Sequence, residues 1–304
     1  RCARRHAGSG SARVSCWSRM VSAGFDVGSL SAAEVVMHHD HSDPGLVDVD
    51  GSPAVTAGPH RLSMVYGGGG VFGIGYCVGV AHGLAAGGIP VVGAPSLGTS
   101  AGSWAASAVA TGVSYDDVAG LEVPSIPSRR GGVLADVARG IFGEATHPLV
   151  SVSAVCLRTR RRHILDGGCY PLADLVAASS AVPGLLPPHR IDGRLYMDGG
   201  MWSVTSIDAA ADAEEVIVVA PLAGPHMGPI GRTAGVLLDR ELRTWRRRHP
   251  DRIITLIRPN REIASHLGRN PMSLFDGDRA RDTYPLSYEQ GLRWAERLRS
   301  AQAA

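Results

Sequence analysis

The serine best placed for covalent chemistry is Ser100, in the pentapeptide GTSAG at residues 98–102. The pattern Gly-x-Ser-x-Gly is typical of a nucleophile elbow, a sharp strand-to-helix turn that exposes the serine oxygen. Gly98 and Gly102 allow the close approach of strand and helix that such an elbow requires. A Val/Ile-rich run precedes the pentapeptide and an Ala-rich run follows it. We therefore predict that Ser100 is a nucleophile, with a simple tight turn as the alternative.

Glycines crowd the segment 67–73, GGGGVFG, directly after a run that predicts a strand. Backbone N–H groups without side chains at a helix start can bind a phosphate, a dinucleotide or a reaction's oxyanion. The chain contains no lysine, which excludes a Walker-type phosphate loop. A dinucleotide site requires an acidic residue about 20 positions on, and none occurs between Asp50 and Asp116. The loop therefore predicts an oxyanion hole.

A serine nucleophile requires a base, and the sequence YMDGG at 196–200 offers Asp198. The run RLYM predicts a strand that leads into this carboxylate, and a loop follows the two glycines. The sequence ILDGG has the same local pattern around Asp166, which we regard as the weaker candidate. A hairpin turn is the alternative interpretation of either Asp-Gly-Gly.

The elements that must position these residues alternate between strands and helices from Arg61 onward. Strands are predicted at RLSMVY, IPVVGAPSL, AEEVIVVAPL and RIITLIRP, helices at 74–86, 101–111, 230–247 and 286–301, and a hairpin at HRIDGRLYMDGG. This alternation indicates an α/β fold with a mostly parallel central sheet and helices on both faces. Residues 1–58 lack such periodicity and are predicted to form a poorly structured leader before one domain at 59–304.

Composition restricts the partners. The formal net charge is only +2 and no nucleic-acid module is recognisable, so no nucleic-acid partner is expected. No apolar run predicts a membrane-spanning helix. The arginine clusters at 158–163 and 243–252 are either solvated surfaces or contacts for anionic lipid headgroups. We predict a cytoplasmic protein capable of peripheral membrane contact, with no cofactor and no dedicated metal site, the HHDH run at 38–41 included.

Four motifs in order resemble the patatin-like phospholipase family. They are GGGGVFG at 67–73, GTSAG at 98–102, ASSAVPGLLPP at 178–188 and YMDGG at 196–200. The resemblance covers residues 60–222 and implies a three-layer α/β fold. Two departures accompany it. Gly67 and Phe72 stand where the family usually has an acid and a basic residue, and MWSVTSID follows Asp198 where the family often has Asn and Pro.

The resemblance implies a catalytic dyad and a lipid or acyl-ester substrate. Carried over to this chain, Ser100 is the nucleophile and Asp198 the general base. The implied oxyanion donors are Gly68, Gly69 and Gly70. The predicted function is therefore a lipid acyl hydrolase, of the phospholipase A, lysophospholipase or esterase type, that forms a serine acyl-enzyme.

Two other functions fit parts of the sequence. An α/β-hydrolase-type esterase would use a Ser-His-Asp triad whose base is a downstream histidine. The candidates for that base are His226, His249 and His266. A catalytically decayed lipid-binding protein is the second alternative, because Phe72 replaces a basic residue of the first motif.

Overall fold

The computed structural model describes residues 60–120, 124–267 and 270–302. The predicted leader at 1–58 and the histidines at 38–41 lie outside these residues. The strands within them are β1 (His60–Tyr66), β2 (Ser96–Thr99), β3 (Val150–Cys156), β4 (Arg161–Asp166), β5 (His189–Ile191), β6 (Arg194–Asp198), β7 (Ala213–Val219) and β8 (Ile253–Ile257). The α-helices within them are α1 (Gly70–Ala86), α2 (Ala101–Thr111), α3 (Tyr115–Ala119), α4 (Val133–Phe142), α5 (Leu172–Ser179), α6 (Gly228–Arg248), α7 (Arg261–Leu267) and α8 (Gly277–Gln302).

The strands form one mixed sheet in the order β5-β6-β3-β2-β1-β7-β8, with β4 also paired to β3. Strands β3, β2, β1, β7 and β8 are mutually parallel. The carboxyl ends of these strands meet at one edge of the sheet, where open α/β sheets bind their ligands. The predicted α/β fold, with a mostly parallel sheet and helices on both sides, is confirmed.

Strand β3 has three neighbours, and their register brings two strand ends together. Antiparallel β4 pairs with β3 from Ser151 to Cys156. Because a strand has only two edges, β2 and β6 must share the other edge. Parallel β2 pairs up to Ser153, and antiparallel β6 begins its pairing at Ala154 with Asp198. The carboxyl ends of β2 and β6 therefore face each other along one edge of β3.

The sheet buries a hydrophobic cluster on each face, because successive side chains of a strand point to opposite sides. From β1, Met64 packs into a cluster with α1, α2, α4 and α5, whereas Val65 packs into a cluster with α6. From β7, Ile217 joins the first cluster and Val218 the second. Both faces of the central strands are thus apolar, as their near-continuous Val/Ile/Leu runs predict.

Several glycines of the segment 67–84 serve helix packing rather than chemistry. A Cβ on Gly83 of α1 would lie 2.0 Å from the carbonyl oxygen of Tyr288 on α8. Gly79 meets the same helix, at 2.7 Å from the Cβ of Ser287. In return, a Cβ on Gly291 of α8 would lie 2.4 Å from the carbonyl oxygen of Val80. The glycine density therefore has two causes, a loop near Ser100 and a close contact between two helices.

The predicted elements are confirmed in type, with differences at their ends. Helix α1 begins at Gly70 rather than at residue 74, so the glycine loop supplies its first turn. The strand predicted over IPVVGAPSL is only the four residues Ser96–Thr99, because the preceding residues 89–95 form irregular backbone with a turn at 92–93. The closing helix α8 begins at Gly277, nine residues before the predicted start, and contains Pro285. Among the described helices, none is long and apolar enough to cross a bilayer.

Candidate active site

Ser100 occupies a strained turn between β2 and α2. Its φ of 53° and ψ of −121° lie where side-chain-bearing residues are rare, at a cost of about 1–3 kcal/mol. The two flanking glycines make the turn possible. A Cβ on Gly102 would lie 2.0 Å from the carbonyl oxygen of Tyr66 at the end of β1, and one on Gly98 would lie 2.5 Å from that of Gly102. The predicted strand-turn-helix context of GTSAG is confirmed.

Two successive hydrogen bonds through the buried Ser179 hold the backbone of this turn. The Ser100 N–H donates to Oγ of Ser179 at 2.9 Å, and the Ser179 hydroxyl donates to the carbonyl oxygen of Ser153 at 2.8 Å. All three serines are buried. Ser179 lies in the quoted motif ASSAVPGLLPP, but the sequence assigned it no role. The contact anchors the strained turn to strand β3 and helix α5 at once.

Asp198 ends β6 and lies beside Ser100. The pKa of its carboxyl group is raised to about 6 by burial, against hydrogen bonds from the Ser100 hydroxyl and the Gly200 N–H. The Gly200 N–H donates to Oδ1 at 2.6 Å. The carboxyl group is 5% exposed, so water does little to stabilise its charge. A pKa near 6 suits a group that must take up and return a proton at neutral pH.

Asp166, the other Asp-Gly-Gly aspartate, forms the same local turn in a different place. Its Oδ1 accepts a hydrogen bond of 2.8 Å from the Gly168 N–H. However, it pairs opposite Ser151 on strand β4, on the other edge of β3, and it is exposed. The structure therefore brings only Asp198 of this pair to the serine.

The glycine loop passes directly beside Ser100. A Cβ on Gly68 would lie 3.3 Å from the Cβ of Ser100. The Gly68 N–H already donates to the carbonyl oxygen of Val204 at 2.9 Å, which removes it from the three predicted oxyanion donors. The N–H groups of Gly69 and Gly70 stand at the start of α1, where the first amides of a helix have no intrahelical acceptor and the helix dipole attracts an anion.

An apolar cavity of about 350 Å³ opens from this point. Ser100, Gly70, Trp104 and Ser180 line it at the serine end. The remaining wall is mostly apolar and comes from α1, α3, α4, α8 and the segments 124–126, 182–186 and 271–275. Its apolar residues include Ile74, Val118, Ile126, Leu134, Val137, Val182, Leu186 and Phe275. Among the described residues that line the cavity, Arg281 is the one with a charged side chain. Such a wall fits a hydrocarbon chain.

The three histidines considered for a triad lie away from Ser100. His226 and His249 are exposed, and the His249 ring lies against Trp245, with centroids 4.7 Å apart and planes tilted by 30°. His266 lies near the end of the short helix α7. None of the three lines the cavity. The titratable group beside the serine hydroxyl is the Asp198 carboxyl group, whose pKa that hydroxyl lowers against the larger effect of burial.

Phe72, which departs from the family pattern, is a core residue. Its ring is fully buried and stacks on Tyr76, with centroids 6.4 Å apart and planes 3° apart. The Tyr76 hydroxyl donates to Gln290 of α8 at 2.9 Å. Phe72 therefore belongs to the buried face of α1 and does not line the cavity. Its presence leaves the loop amides in place.

The two arginine clusters lie at opposite ends of the sheet. Arg246, Arg247 and Arg248 end helix α6, which runs back to the amino end of β8. Residues 158–160 follow the carboxyl end of β3, at the edge that carries Ser100. Of the two clusters, only the one at 158–163 therefore lies on the side of the cavity.

Comparison with known proteins gave one family match. A family model described as Patatin-like phospholipase matches residues 131–211. The matched segment contains Ser153, Ser179 and Asp198, and it ends after the loop that follows Asp198. No match was found among curated proteins. The match is independent of the glycine loop and of GTSAG, because both precede residue 131.

Proposed function

We propose that this chain, whose residues 131–211 match the patatin-like phospholipase family of lipid acyl hydrolases, cleaves lipid acyl esters through a Ser100–Asp198 dyad. The observation that carries this proposal is the position of the buried Asp198 carboxyl group beside the Ser100 hydroxyl, at one end of an apolar cavity. A serine, a base and a hydrocarbon-sized cavity are the parts that acyl-ester hydrolysis requires.

In the first step, Ser100 Oγ attacks the ester carbonyl carbon while its proton passes to the Asp198 carboxylate. The carbonyl oxygen becomes an oxyanion, which the N–H groups of Gly69 and Gly70 stabilise from the start of α1. When the tetrahedral intermediate collapses, the bond from carbon to the leaving oxygen breaks. Asp198 returns its proton to that oxygen, which leaves as an alcohol, and Ser100 carries the acyl group.

In the second step, a water molecule attacks the acyl carbon. Asp198 takes one proton from this water, and the same two amides stabilise the second oxyanion. Collapse breaks the bond between the acyl carbon and Ser100 Oγ, and the proton held by Asp198 returns to the serine. The products are a fatty acid and the regenerated hydroxyl. One carboxyl group with a pKa of about 6 serves in both steps.

Fluorophosphonate labelling of the purified protein, followed by peptide mapping, tests this proposal. We expect one phosphonylated residue, Ser100, because a serine activated by a neighbouring base displaces the fluoride. Label on another residue would contradict the assignment of the nucleophile. A folded protein that takes no label would favour a decayed lipid-binding protein.

The cavity predicts a dependence on acyl-chain length. Leu134 lines it from α4, so Leu134→Trp should fill the space needed by a long chain. We expect kcat/KM for p-nitrophenyl palmitate to fall by at least about 10-fold, as for a lost apolar contact, while p-nitrophenyl butyrate is hydrolysed normally. Val133→Trp, on the same helix but outside the cavity wall, is the control. Equal losses for both esters would show that the acyl chain binds elsewhere.

A further inference from the structure

A buried serine in the segment after Asp198 forms a hydrogen bond with a carboxylate of helix α6. Ser203 lies in the segment that leaves Asp198, and its hydroxyl donates to Oε2 of Glu241 at 2.8 Å. Glu241 lies on helix α6, 38 positions further along the chain. Its side chain is half-buried. Burial raises the pKa of the carboxyl group to about 7, although the hydrogen bond from Ser203 opposes this effect. Ser203 is buried and Glu241 half-buried, so their hydrogen bond is partly shielded from water.

The Ser203 hydroxyl organises the backbone around it. Its oxygen accepts from the N–H of Ser206 at 2.8 Å and from that of Thr205 at 3.3 Å. A hydroxyl has one proton to donate, and with both amides donating to its oxygen that proton is directed to Glu241. The carboxylate therefore fixes the rotamer of Ser203, and Ser203 in turn fixes the turn 203–206.

That turn contacts both halves of the catalytic machinery. The carbonyl oxygen of Val204 accepts the Gly68 N–H at 2.9 Å, which fixes the loop that leads into Gly70 at the cavity wall. Ser206 Oγ donates to Ser153 Oγ at 2.9 Å. The carbonyl oxygen of Ser153 accepts the hydroxyl of Ser179, which holds the Ser100 amide. A displacement of the turn would therefore move the oxyanion loop and the nucleophile together.

We propose that Glu241, acting through Ser203, is a positioning residue that holds the Val204 carbonyl against Gly68 and so aligns the oxyanion loop with Ser100. This inference rests on the proposed function, since it assigns a role within that site. It also accounts for the segment MWSVTSID after Asp198. In this chain a side-chain hydrogen bond from helix α6 fixes the segment that the related family often begins with Asn and Pro.

The experiment compares Glu241→Ala with Glu241→Gln, using steady-state hydrolysis of p-nitrophenyl butyrate and thermal melts. The glutamine oxygen can still accept from Ser203, so Glu241→Gln should keep most of the wild-type kcat. Glu241→Ala should lower kcat by about 10²-fold, as expected when reacting groups are misplaced by about 1 Å, with KM unchanged. The rate of fluorophosphonate labelling should fall in parallel. Thr244→Ala, on the same helix and, among the described residues, hydrogen-bonded only within α6, to the Arg240 carbonyl and from Arg247, should behave as wild type.

Two results would overturn the inference. One is a folded Glu241→Ala protein with wild-type kcat, and the other is an equal loss of kcat in Glu241→Ala and Glu241→Gln. Should Glu241→Ala fail to fold, Ser203→Ala replaces it, and its kcat must fall while Glu241→Gln stays active. Failure of the proposed function itself looks different, because the wild-type protein would then take no label at Ser100.

Discussion

Replacing Ser100 with alanine is expected to remove covalent chemistry completely. Without Oγ no acyl-enzyme can form, and loss of a catalytic serine in an enzyme whose groups act as a unit lowers kcat on the order of 10⁶-fold. The substitution should leave folding intact, because the Ser100 N–H, not its hydroxyl, bonds Ser179. The measurement is kcat for p-nitrophenyl butyrate with the melting temperature of the same preparation.

Ser107→Ala is the matched control for this substitution. Ser107 is buried on α2, the helix that follows Ser100, and lies outside the cavity wall. Its hydroxyl has no hydrogen-bond partner among the described residues, so its removal should cost little. Normal hydrolysis by Ser100→Ala would refute the nucleophile assignment, whatever the control does.

Replacing Asp198 with asparagine is expected to lower kcat on the order of 10⁴-fold, as for other carboxylates that act with a nucleophilic serine. The amide retains the shape of the carboxylate but cannot take the serine proton. In the wild type, kcat/KM should rise with pH through about 6, the pKa of Asp198, because only the ionised form is a base. Asp166→Asn, in the exposed copy of the same turn, should keep both the activity and the pH profile.

Asp198→Asn should also stabilise the fold at neutral pH. Burial raises the pKa of Asp198 from 3.8 to about 6, so the native state binds more protons than the unfolded state between these values. Stability must therefore decrease as pH rises through this window, and about 3 kcal/mol is lost above it at 1.36 kcal/mol per pKa unit. Asp198→Asn carries no charge to desolvate, and its Oδ1 can still accept the Gly200 N–H.

Thermal melts between pH 4 and 8 measure this effect. The wild type should lose stability relative to Asp198→Asn as the pH rises from 4 to about 6, and the difference should be constant above about pH 7. A variant that is less stable than the wild type at pH 7 would mean that the carboxylate is better stabilised by Ser100 and Gly200 than its burial suggests.

The parts of this protein that depend on neighbours in sequence could be predicted from the sequence alone. A nucleophile elbow needs glycines at 98 and 102, and these positions prove to lie against backbone atoms that leave no space for a Cβ. The alternation of strands with helices likewise determines an α/β sheet. The preference for Asp198 over Asp166 rests on the strand-like run RLYM before it and the loop after it, and the structure brings Asp198 to Ser100.

The tertiary structure decided which groups meet. Asp166 and Asp198 have the same local turn, and only strand pairing separates them, since β6 shares an edge of β3 with β2 whereas β4 takes the other. Strand register depends on contacts between residues distant in the chain, so no local pattern contains it. The hydrogen bond from the Gly68 N–H to the Val204 carbonyl oxygen also joins residues distant in the chain, so no local pattern predicts it.

Contacts between residues distant in sequence could not be predicted either. Nothing near Gly79 or Gly83 indicates that helix α8 packs against them, and nothing near Ser203 indicates Glu241. Phe72 leaves a decayed lipid-binding protein as an alternative in the sequence, and its burial on α1 becomes visible only in the fold. The sequence by itself determined the chemistry available to this chain, because residue types and turn geometry are local. The folded sheet decided which serine, which carboxylate and which amides share one site, because that depends on packing across the whole domain.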